Sequence, residues 1–252
     1  METYMKVVFH EDFYSVYTGD PASAKGRMES IVEVIDPFVE FVNAMPAPET
    51  EIAAIHTPAH IDAVRKSRLY DISALAAGGA ILAAELGLTA PSFGLVRPPG
   101  HHASADTSWG FCYFNNVAVA LQSLITRGKV ESAYVLDIDL HFGDGTVNIL
   151  GNRDDVIVCN PAAQQRVIFM DEVSREMENC RADIIAISAG FDNHRQDWGG
   201  VLRTEDYYEI GQRVREAALS CKSGCFGILE GGYNHQVLGQ NVLALILGLS
   251  GK

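Results

Sequence analysis

No stretch of the 252-residue sequence is apolar for long enough to cross a bilayer. Apolar runs such as Val242 to Leu249 fall far short of the roughly 20 residues required. The amino terminus, Met1-Glu-Thr-Tyr-Met-Lys6, lacks the basic-then-apolar pattern of a secretory signal. These two absences predict a soluble, cytoplasmic chain with no membrane partner. Basic residues are also scarce: 19 Lys and Arg stand against 32 Asp and Glu, a net charge of −13. That balance argues against a dedicated nucleic-acid binder, whose affinity rests on neutralising phosphates, and leans weakly toward a cationic ligand. Cysteine is sparse and odd in number, at Cys112, Cys159, Cys180, Cys221 and Cys225. No disulfide framework is legible, so reduced thiols are expected. Cys221 and Cys225, four apart, read as packing residues.

Short β-branched runs alternate instead with longer segments of helical period. Strands are predicted over Lys6–Phe9, Phe93–Val96, Ala133–Ile138, Val156–Cys159, Ile184–Ser188 and Phe226–Leu229. Several are apolar on both faces, as in a parallel sheet covered on two sides. Helices are predicted from Met28 to Ile35, ended or kinked by Pro37, and over Ile72–Leu88, Phe114–Ile125, Glu205–Leu219 and Val237–Leu247. The Gly78-Gly79 pair would let a neighbour approach the second of these closely. Ala44–Thr50, with Pro46 and Pro48, reads as a loop and not a domain boundary. The expectation is one α/β domain over residues 1–252 with helices on both faces.

In such sheets ligands bind beyond the carboxyl ends of the strands, so the residues that follow each strand matter most. They are Arg97-Pro-Pro-Gly-His101-His102, Asp137-Ile-Asp139-Leu-His141, Ser188-Ala-Gly-Phe-Asp192 and Glu230-Gly-Gly-Tyr233. Four strand ends thus converge three His, three Asp and a Tyr. In an extended segment Asp137, Asp139 and His141 would share one face at steps of roughly 6.6 Å. Facing carboxylates repel unless a cation compensates, and three protein ligands with one open position make a catalytic metal site. Asp192 is the candidate third ligand. The alternative is that the aspartates cap turns and His141 is an ordinary buried histidine. His101-His102 admits three readings: metal ligands, a general base and acid, or a polar loop. Asp144 reads as an Asp-Gly turn, and Tyr233, after Gly231-Gly232, as a loop phenol able to donate to an oxyanion.

Taken in order, Arg97-Pro-Pro-Gly-His-His102, Gly110-Phe-Cys-Tyr-Phe-Asn-Asn116, Asp137-Ile-Asp-Leu-His141, Gly143-Asp-Gly-Thr146, Ser188-Ala-Gly-Phe-Asp192 and Glu230-Gly-Gly-Tyr233 resemble the histone deacetylase superfamily. The likeness is closest to its class II and prokaryotic branch, with acetylpolyamine amidohydrolases and acetoin-utilisation-type proteins. It covers almost the whole chain. The resemblance implies a three-layer arginase/deacetylase-like fold with a central, mostly parallel sheet. It implies a zinc-dependent amidohydrolase acting on an acylated amine, acetyl-lysine or a small molecule. Asp139, His141 and Asp192 would hold Zn2+, with Fe2+ an alternative for so hard a ligand set. His101 and His102 would be the tandem catalytic histidines, oriented by Asp137 and Asp144. Tyr233 would bind the acyl oxygen, and Gly110 and Phe111 would line the acyl channel.

The sequence also departs from that pattern. Phe142 stands where relatives often repeat His, which implies altered packing behind the site. Only Asn160–Asp183 separates two strands that relatives join through a long loop supplying one channel wall. Part of a K+ site comes from the same region, and Cys159 falls where an oxygen ligand is expected. The segment from His60 to Ala76 is also short, which trims the rim. Trp198, in Asp197-Trp-Gly-Gly200, stands near a gate position that carries Leu or Glu in relatives. It reads either as a surface aromatic or as an indole replacing the lost wall and stacking on substrate. Acetylpolyamine hydrolysis, and a non-catalytic protein that binds acylated ligands, remain as alternatives. Oligomeric state is not written in the sequence.

Overall fold

Each β-branched run finds its place in a seven-stranded sheet, and the longer periodic segments wrap it as helices. The computed structural model describes residues 4–252. In chain order the elements are β1 (Met5–Phe9), α1 (Arg27–Ile35), β2 (Val39–Asn43), α2 (Glu49–Ile52), α3 (Pro58–Lys66), α4 (Tyr70–Gly87), β3 (Ser92–Gly94) and α5 (Asn116–Thr126). They continue with β4 (Ala133–Asp137), α6 (Asp144–Leu150), β5 (Val156–Cys159), α7 (Arg166–Asn179), β6 (Ile184–Ala189), α8 (Thr204–Cys221), β7 (Gly224–Leu229) and α9 (His235–Ser250). The strand order is β2-β1-β3-β7-β6-β4-β5, and every pairing is parallel.

β4 (Ala-Tyr-Val-Leu-Asp) and β6 (Ile-Ile-Ala-Ile-Ser-Ala) are buried at every residue, as strands covered on both faces must be. α4 packs on β1, β3 and β7 and against α5, while α8 lies on β6 and β7 and carries α9. The Ala-rich α4 is buried from Ser73 to Ile81, and a Cβ at Gly78 would overlap the Met45 carbonyl. The close approach expected of Gly78-Gly79 is thus made by the 44–47 loop, whose Ala47 N–H donates to Ala74 O at 2.8 Å. α1 ends at Ile35, and Pro37 sits in a short 3-10 turn, Asp36–Phe38.

Three expectations need correction. β2 is a strand that sequence reading passed over, paired in register from Met5↔Val39 to Phe9↔Asn43. As an edge strand it is half exposed and lacks the doubly apolar signature of the central strands. α3 lies in the stretch read only as a shortened rim. Lastly, the extended segment stops at Asp137. Backbone N–H groups fold back onto the preceding carboxylates, Asp139 N to Asp137 Oδ1 at 3.2 Å and His141 N to Asp139 Oδ1 at 2.9 Å. These turns replace the simple alternation expected of residues 137–141. Among the described residues no helix is long and apolar enough to cross a membrane.

Candidate active site

β3, β7, β6 and β4 are neighbours in the sheet, so the segments leaving their carboxyl ends meet above it. Asp139 and His141 follow β4, and Asp192 follows β6. Their ligand atoms lie within 4.8 Å of one another. His141 Nδ1 sits 3.1 Å from Asp139 Oδ1 and 3.1 Å from Asp192 Oδ2. Backbone amides fix the carboxylates: Gly231 N donates to Asp139 Oδ2 at 2.9 Å and Leu140 N to Asp192 Oδ1 at 3.0 Å. Asp192 Oδ2 is buried, and the His141 ring is the polar group beside it. A Cβ at Gly231 would lie 2.5 Å from Asp139 Oδ2 and 2.8 Å from Asp192 Oδ2, so glycine keeps this cradle clear.

The electrostatics are those of two carboxylates forced together. Burial and the Asp139 charge push Asp192 up to about 6. Burial also favours neutral Asp139, but the His101 charge and hydrogen bonds from His141 and Gly231 hold it well below the usual carboxylate range. Hydrogen bonds to Asp139 and Asp192 raise His141 to about 10. A buried carboxylate oxygen with no backbone donor, an imidazole aimed between two carboxylates and a glycine-cleared space together fit a divalent cation.

Asp137 turns away from this cluster and toward His101, with Oδ2 3.1 Å from His101 Nδ1. Burial lowers the His101 pKa, but the Asp139 and Asp137 charges outweigh it and hold the imidazole well above its ordinary value. Glu230, at the end of β7, receives the backbone N–H groups of Gly100 (2.6 Å) and His101 (3.1 Å), which fixes the histidine pair. His102 Nδ1 lies 2.6 Å from Asp144 Oδ1, the first residue of α6. Burial and the nearby charge of His101 push His102 down to about 4. Asp144 is therefore more than the turn residue its Asp-Gly context suggests.

Trp109 went unremarked in the sequence. Its indole N–H donates to Asp144 Oδ2 at 2.8 Å, and its ring lies 3.9 Å from the His102 ring, centroid to centroid. Nothing in the sequence signals this, because the partners are 35 residues apart and indole is usually read as packing. Arg27 of α1 is a second such residue. Fully buried, it donates from Nε to Gly232 O at 2.8 Å and from Nη2 to Glu230 O at 2.6 Å, tying down the loop that presents Tyr233.

Tyr233, Trp198, Phe111 and Gly110 enclose a cavity of about 110 Å3 with both catalytic-candidate histidines and His141. Trp198 stacks on Tyr233 at 4.1 Å and meets His141 edge-on at 6.0 Å, so it is a wall of this chamber. Tyr233 also meets Phe111 edge-on. Gly110 adopts φ +58°, and a Cβ there would overlap the His102 ring; Phe111 beside it holds φ +68°. A phenylalanine in that region costs about 1–2 kcal/mol of backbone strain, a burden found where a side chain is aimed at a ligand. Burial raises the Tyr233 phenol far above its usual pKa, so it remains an O–H donor. Phe142 departs from expectation: it packs behind nothing, is 59% exposed, and borders a second cavity. Burial pushes the Cys159 thiol up to about 11, so its side chain stays a soft, protonated thiol.

A parallel sheet that gathers carboxylate and imidazole donors over adjacent strand ends is a scaffold for metal-dependent hydrolysis. The family model of the histone deacetylase domain matches residues 22–169 and 161–249, and the chain belongs to that family. It is similar to a probable deacetylase of Methanothermobacter thermautotrophicus, 30% identical over 305 aligned positions covering 98% of this chain and 91% of that protein. It also resembles acetylpolyamine amidohydrolase 1 of Pseudomonas aeruginosa, 28% identical over 64% of this chain and 56% of that one. The HDA15 HD domain superposes with a TM-score of 0.82 over 99% of this chain and 90% of that domain, at 23% identity. The fold is thus the arginase/deacetylase fold, and the chain is a deacylase that hydrolyses acylated amines.

Proposed function

We propose that residues 1–252 form one catalytic domain that splits the amide of a short-chain acylated amine into a carboxylate and a free amine. Asp139, His141 and Asp192 would hold Zn2+, with Fe2+ the second candidate because two carboxylates and one imidazole make a hard donor set. The observation that carries this reading is the single cavity shared by His141, two histidines with carboxylate partners, and the Tyr233 phenol. The 305 positions aligned to the archaeal relative exceed the length of this chain, which supports trimmed loops. The five unpaired thiols support a cytoplasmic location.

When bound, the ion supplies Lewis acidity toward the carbonyl oxygen and lowers the pKa of an adjacent water. His102, neutral at pH 7 with a pKa near 4, accepts a proton from the attacking water and returns it to the amine nitrogen as the C–N bond breaks. Asp144 and Trp109 hold its ring in place for both transfers. His101, its Nδ1 3.1 Å from Asp137, lines the same chamber and orients the attacking water. The Tyr233 O–H donates to the developing oxyanion. Gly110, Phe111 and Trp198 flank the acyl group. K+ has less support, since Cys159 presents a protonated thiol where a hard ligand is needed.

The test is turnover of acetyl-lysine peptides, acetylpolyamines and longer acyl-lysines by zinc-loaded protein, with metal content measured alongside. Tyr233→Phe and His102→Ala should each lower kcat by about a hundredfold or more while retaining the ion. Unchanged turnover in both variants overturns the assignment. Acetylpolyamine hydrolysis is the second reading, favoured by the Pseudomonas relative and the charge of −13.

A further inference from the structure

His141 and Trp198 line two adjoining cavities. One is the 110 Å3 chamber; the other is a cavity of about 500 Å3 that also opens onto Asp139. The larger space is bordered by the short connection, residues 160–165, that joins β5 to α7. The two segments matched by the family model meet within residues 161–169, at this same connection. Arg166 then clamps the start of α7 to buried Asp206 of α8 (Nε to Oδ2 2.7 Å), so the short connection is anchored.

The two volumes suit different parts of a substrate. At about 30 Å3 for a water-sized group, 110 Å3 holds some three or four heavy atoms, the size of an acetyl group. Five hundred Å3 lies within the roughly 300–1,000 Å3 of ordinary small-molecule sites. Apart from Asp139 and His141 at its floor, the larger cleft is lined by no charged residue. Its walls combine the side-chain amides of Asn160, Gln164 and Asn193 with Phe142, Pro161, Ala163, Trp198 and Val201, and Phe142 and Trp198 are 59% and 53% exposed. Exposed aromatic rings facing a neutral hollow are the usual anchor for an apolar group. Beyond Asp139, which belongs to the cation-holding cluster, a linear polycation finds no carboxylate there to pair with.

We propose that this cleft is the subsite for the amine half of the substrate, and that this half is a bulky, uncharged aryl or branched alkyl group. The inference rests on the amide-hydrolase reading for which end of the substrate it holds, but its binding test does not. With zinc-loaded protein, kcat/KM for N-acetylphenethylamine should exceed that for N-acetylputrescine by about tenfold or more. Calorimetry on the Tyr233→Phe variant should show the same order in affinity. Ala163→Phe, which narrows the cleft, should bring the ratio close to one, chiefly through KM. Phe142→Ala, at an exposed position that leaves the core untouched, should weaken binding of the phenethyl amide alone. Equal affinity for the two amides, or a ratio indifferent to both substitutions, overturns the subsite. Selective binding that both substitutions erase, with no hydrolysis of any amide, would leave the subsite standing and remove the hydrolase reading.

Discussion

At the scale of single residues, the two histidines are separated electrically by their surroundings. His101 faces Asp137 and Asp139, whose charges raise its pKa, whereas burial and the charge of His101 lower that of His102. Adjacent groups pushed apart in this way can divide orienting and proton-transfer roles. Asp144 is the exposed member of the arrangement, and Trp109 shields and aims it. Trp109→Phe keeps a ring over His102 but removes the donor to a carboxylate, a hydrogen bond worth about 1.5–3 kcal/mol when fully formed. Screening at this half-exposed position reduces that, so kcat should fall by about tenfold with KM nearly unchanged. Steady-state kinetics would decide, and an unaltered kcat would show that Trp109 only packs. The resemblance already paired His101 with Asp137 and His102 with Asp144, but the Trp109 contact was not legible, because its partner Asp144 lies 35 residues away.

Among the elements, the connection from β3 to α5 carries His101, His102, Trp109, Gly110 and Phe111 and has no regular structure of its own. His56, between α2 and α3, holds it. Its Nδ1 lies 3.0 Å from Ser104 O, and the Asn115 N–H donates to its Nε2 at 2.9 Å. That pattern requires a neutral ring protonated on Nδ1, and burial together with nearby His60 pushes its pKa down to about 4. The unfolded chain binds this proton near pH 6.5, so between about 6.5 and 4 it holds more protons than the native state and stability falls with pH. The full contribution is on the order of 3 kcal/mol, present above pH 6.5 and lost as pH falls through 4. Urea unfolding of wild type and His56→Gln should give free energies that converge as pH drops through this window. A pH-independent gap between them would contradict the assignment. The elements themselves were largely readable: six strands and five long helices follow from β-branched runs and apolar stripes. β2 was not, because half its side chains face water and only its pairing with β1 marks it as strand.

Over the whole molecule, the acidic surface and the neutral cleft act on different steps. A charge of −13 raises the local concentration of cations, an effect that salt screens over about 10 Å at 0.1 M. A cationic substrate such as N-acetylputrescine should therefore lose kcat/KM several-fold as salt rises from about 0.05 to 0.5 M. A neutral amide should show no such slope, and parallel salt titrations of the two would test this. What the sequence determined by itself is the alternating α/β pattern, the ordered motifs and the residue types able to hold a metal and move a proton. These are local properties, set by periodicity and by side-chain chemistry. Tertiary structure alone decided that β3, β7, β6 and β4 lie side by side, bringing His101, Tyr233, Asp192 and Asp139 over one edge. It also decided that Trp109 donates to Asp144, that Trp198 stacks on Tyr233, and that six residues after β5 border a cleft. Those outcomes depend on contacts between segments far apart in the chain, and nothing in a local pattern carries the strand order that creates them.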